Sequence, residues 1–305
     1  MTMHDDLPRN GDEVQEAVKA MFLGCAPERK QELEELWKEN ELRFNVLPDT
    51  GRNGKVILDA GQYRNIRFNH RILRAFWVSS FAAWEGYRRC AEDDPDQQSF
   101  RNMLECVSNI LSADDPLSVP LPDGIPEPGT LDGILETQRA AAELSIFAVC
   151  WALLHEVKHI KHQRGGTSAP FDDVEESHAE ELSCDEYATL FLLNQADKYS
   201  EPHSVETRRV MQKRQAGIHF ALFSLTLLSV KKWEKSKSHP SVEARIMQIW
   251  RIMAKSPLNI GASAMAAGAF YSLYEIHPDA PKFPEDLLVL QFSEQGDQSL
   301  PGSSA

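Results

Sequence analysis

A chain of 305 residues, 42% hydrophobic and 26% charged, is long enough to bury a sizeable core and reads as one large domain or two small ones. Its formal net charge of −14 argues against bulk nucleic-acid binding and against adhesion to an anionic membrane, which need a basic excess. The five cysteines are odd in number, widely spaced and without a C-x-x-C, the pattern of reduced thiols in a cytoplasmic protein.

The opening stretch MTMHDDLPRNGDE has no basic or apolar region and is not expected to be a secretory signal. A short helix is predicted near Val14 to Phe22, and a second over APERKQELEELWKEN, where Leu33, Leu36 and Trp37 recur at helical spacing. Two β-like runs, Leu42 to Leu47 and Lys55 to Asp59, flank a Pro-Asp-Thr-Gly-Arg-Asn-Gly cluster and predict a hairpin. The basic runs Arg64 to Arg74 and Arg208 to Arg214 read as solvated helix faces or loops. Helices follow over Ile72 to Cys90 and Phe100 to Leu111, then a proline-rich connection from Ser112 to Thr130.

Beyond Leu131 nearly everything reads as helix: Thr137 to Gln163, Asp172 to Ala196 with an aspartate cap, Ser204 to Glu234, and a further helix with Pro240 near its first turn. The apolar run Ala216 to Val230 is too short for a membrane span of about twenty residues and reads as a buried helix. The last dozen residues look disordered. The expected class is mainly α (α+β). Residues 1–130 form a helical and hairpin region suited to substrate or partner recognition, 131–293 a core and 294–305 a tail, unless all pack as one unit.

Chemistry concentrates in CWALLHEVKHIKHQ, which holds three of the ten histidines. His155 and His159, one turn apart on a helix, can aim two imidazoles at one Zn²⁺, while Glu156 beside them can reach a water there without binding the ion. A helix end whose histidines face the carbonyl dipole is the plain alternative. His162 lies about 10 Å along the axis from His155, too far to join them on a straight helix. The next helix offers better: Glu181, Asp185 and Ala188 fall on one face, so Glu181 can supply a third ligand and Asp185 can fix a histidine tautomer. His178 shares that face as a reserve ligand, and the other acidic residues suit a solvated helix start. A third element, SHPSVEARI, places His239 and Pro240 before Arg245 and Ile246; alone it reads as a helix start after a lysine-rich linker.

In this order the three pieces resemble the gluzincin peptidases. CAAX-type and HtpX-type members read H-E-x-x-H, then E-x-x-x-D-x-x-A, then H-P before a helix containing Arg-Ile. Size and acidic character look more like the Lit family of cytoplasmic phage-exclusion peptidases, over roughly Ala140 to Ile252. The resemblance implies a zincin-like helical core and a zinc endopeptidase in which His155, His159 and Glu181 hold Zn²⁺ and Glu156 is general base. It further implies that Asp185 orients a ligand histidine and that His239, or else Arg245, stabilises the oxyanion. The substrate it suggests is an intracellular protein, elongation factor Tu by family, with an activating partner as trigger. A structural-zinc module without hydrolytic activity, closed by His162, His178 or Cys184, is the rival reading.

Overall fold

Amphipathic helices account for most of the chain in the computed structural model, which describes residues 11–50, 58–129, 133–170, 172–229, 233–255 and 259–284. In order they are α1 (Gly11–Gly24), α2 (Lys30–Glu39), α3 (His70–Glu92), α4 (Gln98–Ser112), α5 (Glu136–Gly165), α6 (Val174–Leu193), α7 (Ala196–His203), α8 (Thr207–Leu228), α9 (Val242–Met253) and α10 (Ile260–Ile276). Between α2 and α3 lie three short strands, β1 (Arg43–Val46), β2 (Leu58–Ala60) and β3 (Asn65–Phe68). The mainly α class with a small N-terminal sheet is what the sequence predicts. The expected tail at 294–305 lies outside the described residues.

The predicted pairing of the two β-like runs is corrected. The sheet order is β1-β3-β2, with β3 parallel to β1 and antiparallel to β2. The central strand comes from the basic run taken for a helix face or loop. Its period-two pattern buries Ile66 and Phe68 completely, while Arg67 turns outward to a two-pronged ion pair with Asp59. Closing β2 onto β3 takes only the short turn after Ala60, closed by Gly61 N–H donating to the Asn65 carbonyl at 2.7 Å. Residues 51–57, which hold part of the predicted turn and of the second β-like run, lie outside the described residues.

Helix α5 runs through the centre. It packs on α8, α6 and α3 and touches β2 and β3, so segments from both halves of the chain share one core. Trp151 is fully buried and donates its indole N–H to Thr189 Oγ1 on α6 at 3.0 Å. Helix α5 is long and apolar enough to cross a membrane by composition, and 78% of its most apolar window is buried inside the fold. It stops at Gly166, whose φ of 66° is the left-handed conformation that glycine adopts at little cost.

Helix α6 starts at Asp173, whose carboxylate accepts the Glu176 N–H at 3.0 Å. The sequence carries it on to Ala196, but it ends at Leu193 and the chain turns through Gln195 in the left-handed region before α7. For α9 the cap is Ser241, accepting from Ala244, and Pro240 lies just outside the helix.

Candidate metal centre

Residues 155, 159 and 163 fall on one face of α5, and residues 181 and 185 on one face of α6, because four residues are close to one helical turn. The two faces meet. His155 Nε2 and His159 Nε2 lie 3.2 Å apart. The Glu181 carboxylate faces both, with Oε2 3.4 Å from His155 Nε2 and Oε1 3.2 Å from His159 Nε2.

The other ring nitrogens are fixed from outside. His155 Nδ1 donates to Asp185 Oδ1 at 2.9 Å, and His159 Nδ1 donates to Glu180 Oε1 at 2.7 Å. With both Nδ1 atoms committed as donors, both Nε2 lone pairs point inward. They face Glu181, whose Oε2 is buried and accepts no hydrogen bond. So many acceptors converging without a donor repel each other unless positive charge lies between them. That is the requirement a cation meets, and two imidazoles with a carboxylate are a donor set that Zn²⁺ accepts.

Without a cation the same demand for positive charge falls on protons: burial opposes a charge on His155, but its interactions with Asp185 and Glu181 outweigh it and raise its pKa to about 10. His159 is raised as well, against its burial, by Glu181. Burial disfavours the charge on Glu181, yet the two histidines hold it well below the usual carboxylate range. Asp185 is fully buried and also lowered, by Arg245 above all. Arg245 on α9 grips it with Nε to Oδ2 at 2.8 Å and Nη2 to Oδ1 at 2.6 Å.

Glu156 lies beside this group and is buried. Desolvation pushes its pKa up to about 7, partly offset by His155 and His159. His155, Glu156, His159, Glu181 and Arg245 open onto one cavity of about 670 Å³. Its wall combines Leu58, Asp59 and Ala60 of β2 with an apolar patch from Phe76, Trp151, Leu222 and Leu225. His239 sits at the rim, 57% exposed, with Nε2 3.6 Å from Glu181 Oε1.

The structure thus brings together His155, Glu156, His159, Glu181, Asp185, His239 and Arg245. His162 and His178 are engaged elsewhere: His162 with Thr167 and Ser183 hydroxyls, both at 2.8 Å, and His178 with the Ser236 carbonyl at 2.8 Å. Cys184 is nearer. Its Sγ and one nitrogen each of His155 and His159 lie within 4.8 Å of one another. Burial raises the thiol pKa far above its ordinary value, reinforced by Glu181, Glu156, Glu180 and Asp185. Glu181 fits the centre better than Cys184: its oxygens face both Nε2 atoms and one lacks any partner.

Glu180 is the residue that sequence reading missed. Helical phase assigned it to the solvated start of α6, but its two oxygens accept from His159 Nδ1 and from the Ala169 N–H at 2.5 Å.

Residues 66–262 match the Peptidase U49 family, more than half of the chain and all of the centre just described. The chain belongs to this family. Within the matched region of this U49 peptidase fall α3 to α9, whereas β2, which forms part of the cavity wall, lies before it. It is also similar to a cell death peptidase from Escherichia coli (strain K12), 23% identical over 242 residues, which cover 75% of this chain and 77% of that protein. No solved structure matches the chain. The family resemblance read from the three motifs is thereby borne out, and a peptidase takes a protein or peptide as substrate.

Proposed function

We propose that this U49 peptidase is a zinc-dependent endopeptidase that cleaves an intracellular protein. The observation that carries the reading is the meeting of two inward-facing Nε2 atoms with the Glu181 carboxylate, whose buried Oε2 has no partner. His155, His159 and Glu181 would hold Zn²⁺, which when bound supplies a Lewis acid that polarises the scissile carbonyl and acidifies water.

The chain's own residues do the rest. Asp185 and Glu180 keep the two imidazoles in the tautomer that aims Nε2 inward. Glu156 takes a proton from the attacking water and delivers it to the leaving amine, a role open to a carboxylate that lines the cavity beside the two histidines. His239 at the rim donates to the oxyanion as the carbonyl becomes tetrahedral. Arg245 is committed to Asp185 and acts by holding it.

Among the described residues strand β2 pairs on one side only, with β3, and its residues line the cavity. An extended substrate segment added along that free edge would bring a peptide bond toward Glu156. The apolar wall receives a side chain next to that bond.

The motif resemblance and the cell-death name of the E. coli relative support an anti-phage setting in the cytoplasm, with elongation factor Tu as candidate substrate and an activating partner as trigger. A second reading rests on Cys184, whose sulfur is close enough to close a structural zinc site. Zinc content separates the two. One zinc per chain should survive Cys184→Ala and be lost in His155→Ala, His159→Ala and Glu181→Ala. Loss of zinc in Cys184→Ala would favour the structural site, and full zinc in the other three would refute the ligand assignment.

A further inference from the structure

A second cavity, of about 680 Å³, opens beside the first and shares Ala60 and Gln163 with it. We propose that this groove, between the β2–β3 turn and the C-terminal end of α5, is a substrate subsite remote from the scissile bond. It binds an extended polypeptide segment and selects an aromatic or long aliphatic side chain against the ring of Tyr63. The proposal rests on the peptidase reading above and deepens it.

The first support is continuity. His155, His159 and Gln163 follow one another at four-residue spacing, so the face of α5 that carries the histidines becomes the floor of the second cavity one turn later. On the opposite wall β2 passes from one cavity to the other. Asp59 lines the first and Arg67 the second, and their paired hydrogen bonds at 2.7 Å span the junction.

The second support is Tyr63 itself. It has a φ of 54°, which a bulky residue rarely adopts, and is 62% exposed. Gln163 holds it there, accepting the Tyr63 N–H at 2.7 Å while its own amide donates to the Ala60 carbonyl at 3.3 Å. A helix of the catalytic centre therefore fixes a strained turn that presents an aromatic ring to solvent at the end of the cleft. Burial does not account for that ring, because most of it is outside the core.

Position follows from strand geometry. The eight residues from His155 to Gln163 rise about 12 Å along α5, a span that an extended segment advancing about 3.3 Å per residue covers in about four residues. A side chain on the Tyr63 ring therefore belongs to a residue about three to five positions from the cleaved bond. Gly166 and Ser168, on the connection after α5, form the facing wall.

The test is a proteome-derived peptide library digested by the full-length zinc-loaded protein as wild type, Tyr63→Gly, Tyr63→Phe and Glu156→Gln, with cut sites read by mass spectrometry. Glycine removes the ring and suits the positive φ, so Tyr63→Gly should fold with an unchanged or higher Tm. The wild type should show an aromatic or aliphatic preference three to five residues from the bond. Tyr63→Gly should lose it and Tyr63→Phe keep it. For the best-cut peptide and a version truncated short of the groove, the long-to-short ratio of kcat/KM should fall about tenfold in Tyr63→Gly, mostly through KM. Identical profiles for wild type and Tyr63→Gly would overturn the subsite and leave the peptidase reading standing. A wild type that cuts nothing beyond what Glu156→Gln cuts would overturn both.

Discussion

Each histidine of the centre owes its aim to a carboxylate on α6, and the two carboxylates differ in how they are held. Asp185 is gripped by Arg245 and is wholly buried, so its position is fixed by an ion pair inside the core. Among the described residues the Glu180 carboxylate is tied to the Ala169 N–H and to His159 itself, with no cation gripping it. Removing it frees His159 to rotate and leaves its Nδ1–H without an acceptor. Glu180→Ala should therefore weaken zinc binding about 10- to 100-fold with the fold intact, read by competition against a chelating dye. Glu180→Gln should fall between, because the amide nitrogen that replaces one carboxylate oxygen cannot accept a hydrogen bond, so one of the two contacts is lost. Unchanged affinity in Glu180→Ala would mean that the contact does not orient the ligand. In the sequence, His155, Glu156, His159, Glu181 and Asp185 are legible because they obey one helix's own periodicity. Glu180 is not legible, since its partner is set by how α6 crosses α5. The same holds for Tyr63 and Gln163, which meet across a hundred residues of chain.

At the scale of elements, the centre depends on how closely α8 backs onto α5. Gly217 on α8 faces Phe147 on α5 so tightly that an added Cβ would lie 2.3 Å from the Phe147 Cβ. Neither atom can give without moving a helix. Gly217→Ala should destabilise the protein by about 1–3 kcal/mol in urea unfolding, through displacement of α5. A neutral substitution would show that the helices slide apart freely. Helices were readable from the sequence because their apolar stripes repeat every three to four residues over long stretches. Strand β3 was not, because four residues carry only two apolar side chains, Ile66 and Phe68, inside a run whose charges suggest a surface. Its central place is a product of packing against β1 on one side and β2 on the other.

For the whole molecule, the interior of the described residues holds a buried imidazole that the centre does not use. His219 on α8 is 2% exposed, neither ring nitrogen has a hydrogen-bond partner, and Phe283 packs edge-on at 5.3 Å. Burial pushes its pKa down to about 4. As pH falls below 6.5 the unfolded chain takes up this proton and the folded one does not, so stability drops between pH 6.5 and 4 and is unaffected above. The loss should reach roughly 3 kcal/mol at the low end, and His219→Leu should remove that part of the pH dependence of unfolding. An identical acid slope in both proteins would contradict it.

The central claim is that this U49 peptidase cuts with Glu156 as general base, and it is tested most directly by comparing new protein N-termini in cells expressing wild type or Glu156→Gln. Glutamine fills the same space but cannot take the proton, so the purified variant should keep one zinc per chain and lose about 10²–10⁴ in rate. The wild type should generate a small set of new termini that vanish in Glu156→Gln, and those termini would name the substrate. The same termini in both, with zinc retained in both, would contradict the claim.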